Sequence, residues 1–157
     1  LKPARGGSYL PTPAKLSNPK CGLINIQNHD QECFRWCMIY HQTEQTKHDH
    51  RITVLANIED KYDWSGITFP VSVAVDQIET FEENNKVTMN IWEIGDDENT
   101  YLTGQGNVLH CQHGMVNLLL IESKEGQAHD IYIKKLERML HTTTTTYYKD
   151  RKCSPSA

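Results

Sequence analysis

No stretch of this chain approaches the roughly 20 consecutive apolar residues that a membrane-spanning helix needs. The opening residues, LKPARGGSYLPTP, lack the apolar core of a secretory signal. Excess positive charge is also missing: 16 Lys and Arg stand against 20 Asp and Glu, for a formal charge of −4. A phosphate-binding surface calls for a basic field, so composition argues against nucleic acid as a partner of this domain alone. The five cysteines, Cys21, Cys33, Cys37, Cys111 and Cys153, are odd in number and irregular in spacing. That is a poor disulfide framework. Free thiols and an intracellular compartment, cytoplasmic or nuclear, are the expectation.

Paired Cys-x-x-Cys spacing is absent too, so the side chains of His110, Cys111 and His113, and of His48, Asp49 and His50, read as solvated loops rather than zinc ligands. The acidic run GDDEN lacks the length and closing glutamate of a calcium loop. The GQG at Gly104 to Gly106 is far from a phosphate loop. No metal and no cofactor is expected.

What remains is 157 residues, 38% of them hydrophobic, enough for one domain with a sizeable core. Residues 1–20, rich in Gly and Pro, read as an extended lead-in. Residues 21–141 read as the folded domain, and 142–157 as a low-complexity linker or tail. Within the domain, GLINI suggests a strand, and CFRWCMIYH suggests a buried helix beginning near Cys33. Residues 42–66 read as loop with one short element. Val75, Ile78 and Phe81 share a helical face, with Asp76 suited to the helix start. VTMNIWEI, YLTGQ, the apolar run MVNLLLIE and the alternating HDIYIKKL read as strands. ERMLH suggests a short last helix. The fold class is therefore α+β, an early helix packed on a mainly antiparallel sheet.

Cys33 is the candidate chemical centre. A thiol at a helix N-terminus meets the helix dipole and free backbone N–H groups, which favour the thiolate. His129, at the start of a late strand, could take the thiol proton and pass it to a leaving amine. The polar stretch just upstream of Cys33 holds Gln27, Asn28 and Asp30. These are candidates to support an oxyanion together with the Cys33 backbone N–H. The third residue that would orient His129 is unknown from sequence: Asp130 is adjacent, but neighbours on a strand point to opposite faces. Cys37, one helical turn on, is read as core. A buried thiol that only packs is the competing reading of Cys33 itself.

The motifs INIQNHDQECFRW, WSGITFPVSV, IETFEENNKVTMNIW, VNLLLIES and HDIYIKKLERML occur in an order that resembles the N-terminal domain of Maverick/Polinton-type mobile-element polymerase proteins. Asn28, Asp30, Cys33, Phe34 and Trp36 fall on that family's first motif, and His129, Ile133 and Lys134 on its late one. The arrangement also resembles papain-like deubiquitinases of the ovarian-tumour and viral-tegument types. The resemblance implies a papain-like cysteine protease fold and a thiol isopeptidase acting on ubiquitin or a ubiquitin-like modifier. Two positions depart from the pattern: Asp130 replaces an aromatic residue, and Lys135 replaces an Asp or Asn. The family's following zinc segment is represented only by Cys153, which reads as an excised or truncated domain. The alternative is a non-catalytic, protease-like interaction module, with a nucleic-acid accessory domain behind it.

Overall fold

A computed structural model of the chain describes residues 5–43, 49–71, 77–106 and 114–142. Among the described residues, six strands form one sheet in the order β1-β6-β5-β3-β4, with β2 pairing β6 as well. They are β1 (Arg5–Gly6), β2 (Leu23–Ile24), β3 (Thr88–Ile94), β4 (Thr100–Gly104), β5 (Met115–Glu122) and β6 (Gln127–Ile133). The helices are α1 (Cys33–His41), α2 (Ile52–Leu55), α3 (Gln77–Asn85) and α4 (Leu136–Thr142).

The α+β class stands, but the sheet is mixed rather than mainly antiparallel. β3–β4, β5–β6 and β2–β6 run antiparallel, while β3–β5 and β1–β6 run parallel. Hydrophobic pattern identifies strands but carries little information about the direction of non-sequential neighbours. β5 sits in the middle of the sheet order, as its continuous apolar run requires.

Alternation along the strands builds a core on each face of the sheet. On one face Met89, Ile91, Val116, Leu118 and Tyr132 pack against Phe34, Cys37, Met38 and Phe81. On the other, Trp92, Leu119, Ile121, Ile131 and Ile133 pack with Leu16, Cys21 and Met139. The central strands are thus covered on both sides.

The lead-in is more structured than its composition suggests. After β1 come two short 3-10 turns, Ala14–Leu16 and Pro19–Cys21, and the first buries Leu16 in the second core. The short element expected between residues 42 and 66 is α2, and the GDDEN stretch lies in the β3–β4 hairpin. Val75, Asp76, His48, His110, Cys111, His113 and Cys153 lie outside the described residues. Among the described residues, no helix is long and apolar enough to cross a membrane, and no group of three side chains is placed to hold a metal ion.

Candidate functional site

The site forms along the outer edge of β6. β1 pairs with that edge at Gln127 and Ala128, and β2 pairs with it at Tyr132 and Ile133. The intervening residues, His129 to Ile131, have no strand partner on that side. Helix α1 fills the gap with two thiols spaced one turn apart. The Asp130 N–H donates to Cys33 Sγ at 3.4 Å, and Cys37 Sγ donates to the Asp130 carbonyl at 3.5 Å. A strand's N–H and C=O lie in the sheet plane, so these contacts hold Cys33 at the strand edge, between the two faces.

Cys33 is the first residue of α1, as the sequence suggests. The turn before it is shaped by Asp30, whose carboxylate accepts from Asn28 Nδ2, the Glu32 N–H and Trp36 Nε1. Burial alone would raise the Asp30 pKa. The hydrogen bonds from Asn28, Trp36 and Glu32 outweigh burial and hold it below the ordinary value. Asp30 therefore shapes the turn that leads into Cys33. Gln27 is exposed.

Asn28 is 1% exposed. Its Nδ2 donates to the Gly7 carbonyl at 2.6 Å, and the Cys33 backbone N–H donates to the same oxygen at 3.1 Å. Two donors, one side chain and one backbone, thus converge on a single carbonyl oxygen at the start of α1. These are the donors the sequence picks out for an oxyanion. Gly7 has φ +115°, and a Cβ there would lie 2.5 Å from the Gln31 carbonyl oxygen. Only glycine presents its carbonyl in this way.

His129 is fully buried. Its Nε2 lies 2.6 Å from Asn25 Oδ1. The Asn25 amide is oriented by its other end, where Nδ2 donates to the Leu10 carbonyl at 2.8 Å and to Thr12 Oγ1 at 3.0 Å. Oδ1 can only accept, so Nε2 carries the proton, and Nδ1 keeps its lone pair. Nδ1 is buried without a hydrogen-bond partner. Burial lowers the His129 pKa to about 4, so the ring is neutral at physiological pH. The Tyr9 ring meets the imidazole edge-on, at 5.9 Å between centroids.

Asn25 is therefore the orienting residue that sequence reasoning missed. It sits one residue beyond β2, in a run whose alternation marks a strand and nothing more. No spacing rule connects it to a histidine 104 positions away.

The simple Cys33–His129 hydrogen bond suggested by the sequence is not what the thiol makes. Its Sγ donates to Asp130 Oδ2 at 3.5 Å. Alternation explains the exchange: Asp130 points to the α1 face of β6, and His129 shares the other face with Ile131 and Ile133. Burial, and next the Asp130 charge, push the Cys33 pKa well above its ordinary value. Burial likewise raises Asp130 to about 6, less than it would without the Cys33 hydrogen bond. The site thus holds a protonated thiol, a neutral imidazole and two N–H donors engaged by the Gly7 carbonyl.

Compared with protein-family models, curated proteins and solved structures, the chain matches none.

Proposed function

We propose that this domain is a papain-like thiol isopeptidase that cleaves ubiquitin or a ubiquitin-like modifier after its terminal glycine. The observation that carries the reading is the convergence of the Cys33 N–H and Asn28 Nδ2 on one glycyl carbonyl oxygen. On this reading that oxygen stands in for the acyl oxygen of a scissile bond. The two donors would strengthen as it becomes an oxyanion, which is the condition for lowering a barrier.

In this mechanism Cys33 Sγ turns from Asp130 Oδ2 to attack the carbonyl carbon. His129 then takes the thiol proton on Nδ1, and Asn25 holds the ring in the tautomer that leaves Nδ1 free. The imidazolium returns the proton to the leaving amine. The tight fit around Gly7 supports glycine as the residue whose carbonyl is attacked. The chemistry calls on the side chains of Cys33, His129, Asn25 and Asn28 and on the Cys33 backbone N–H. The resemblance of the motif order to that of mobile-element polymerase proteins supports the reading.

The test is turnover of a ubiquitin C-terminal amide bearing a fluorogenic leaving group. The wild type should hydrolyse it and Cys33→Ala should not. Failure of the wild type to turn over the amide of ubiquitin or of any ubiquitin-like modifier removes the reading.

One observation favours a second reading, a non-catalytic protease-like interaction module. The Asp130 carboxylate beside the thiol opposes thiolate formation. On that reading Cys33 serves to complete the β6 edge, and its replacement by serine leaves partner binding unchanged.

A further inference from the structure

The two oxyanion donors are occupied by the chain itself. The segment Arg5-Gly6-Gly7-Ser8-Tyr9 enters as β1, parallel to β6, with Arg5 opposite Gln127 and Gly6 opposite Ala128. It then delivers the Gly7 carbonyl to the Cys33 N–H and Asn28 Nδ2. Beyond Gly7 the segment is held on the side of the leaving group. Ser8 Oγ donates to the Asp30 carbonyl at 2.6 Å, and the Tyr9 N–H donates to the Asn28 carbonyl at 3.2 Å. The Tyr9 ring then covers His129. A strand-paired approach, a glycyl carbonyl on two donors, and the next residues lying against the base are how a peptide substrate would thread this site.

We propose that the Gly7–Ser8 peptide bond is a substrate of Cys33 in the same chain, so that the domain cuts itself free of whatever precedes Ser8. The inference rests on the thiol-peptidase reading and names its first substrate. In the acylation step Cys33 Sγ bonds to the Gly7 carbonyl carbon, and the thiol proton passes to His129 Nδ1. Collapse of the tetrahedral intermediate breaks the Gly7–Ser8 C–N bond, and the proton passes from His129 to the Ser8 nitrogen. Water then adds to the Gly7–Cys33 thioester. Its addition releases a Gly7 carboxyl group and restores the Cys33 thiol. Ser8 becomes an N-terminus still tied to Asp30 and Asn28, while the oxyanion donors are freed for a glycine-terminated substrate in trans.

The test follows the intact mass and N-terminal sequence of the purified full chain with time. The wild type should lose Leu1 to Gly7 and show Ser8 as its new N-terminus, at a rate unchanged by dilution. Cys33→Ala should stay uncut. Gly7→Ala, with a circular dichroism spectrum like that of the wild type, should slow the cut at least a hundredfold, because its Cβ cannot pass the Gln31 carbonyl. It should also speed labelling of Cys33 by a ubiquitin electrophile, since the segment no longer fills the site. A wild-type chain that stays whole while the electrophile labels its Cys33 overturns self-processing and leaves the peptidase reading standing. A chain neither cut nor labelled removes both. Cleavage that slows on dilution, or a Gly7→Ala chain cut as fast as wild type, also overturns the proposal.

Discussion

Nε2 of His129 lies 2.6 Å from Oδ1 of Asn25, and this contact determines which imidazole nitrogen carries the proton. Because the Asn25 amide is anchored at Leu10 and Thr12, its oxygen faces the ring and its nitrogen does not. The lone pair is thereby left on Nδ1, the atom without a partner.

Asn25 acts through His129, so its substitution should alter the pH profile as well as the rate. His129 must be neutral to accept the thiol proton, and burial puts its pKa at about 4. Activity should therefore persist into mildly acidic buffer, with its acid limb near that value. Asn25→Asp places a carboxylate against Nε2–H and favours the imidazolium. The acid limb of kcat/KM should move up by about a unit or more. An unmoved limb would mean that Asn25 only packs.

Asn28→Ala removes one of the two donors to the carbonyl oxygen. Loss of such a donor costs about 10²–10³ in kcat. KM should change little, because the bond strengthens only as charge develops on the oxygen. Steady-state kinetics on a glycine-terminated amide read the split directly. A loss confined to KM would assign Asn28 to ground-state binding.

Asp130 carries opposed consequences for stability and for the thiol. Its folded pKa is raised to about 6 from 3.8, so the folded state holds a proton that the unfolded state has released between these values. Stability therefore falls as pH rises through that window, and above it the ionised carboxylate is a cost of roughly 3 kcal/mol. Asp130→Asn should gain a large part of this at pH 7.5 and little at pH 3.5, as measured by urea unfolding. Removing the charge should also lower the Cys33 pKa and speed its alkylation. Equal stability of the two proteins at pH 7.5 would contradict the account.

Much of this arrangement was legible in the sequence, and the exceptions have physical causes. The start of α1 at Cys33 followed from the change of pattern between NHDQE and CFRWCMIYH. The strand bearing His129, and the placing of Asp130 on the opposite face, followed from simple alternation. Asn28 was marked by its position just before the thiol. Asn25 was not legible, because its role depends on β2 lying beside β6, a pairing between segments more than 100 residues apart. The direction of β3 against β5 was hidden because β4 lies between them in sequence, so no turn length fixes it. Gly6 and Gly7 read as a loose lead-in because glycine runs ordinarily mark flexible chain. Here the edge of β6 and two converging donors impose a path that only glycine follows.

The central claim is that Cys33, alone among five cysteines, is a nucleophile aimed at a glycyl carbonyl. Its most direct test is peptide mapping of the full chain after reaction with ubiquitin carrying a C-terminal electrophile. The account predicts a single adduct, on Cys33, that is lost in His129→Ala and weakened in Asn28→Ala. An adduct spread over several cysteines, or none on Cys33 in either wild type or Gly7→Ala, would contradict it.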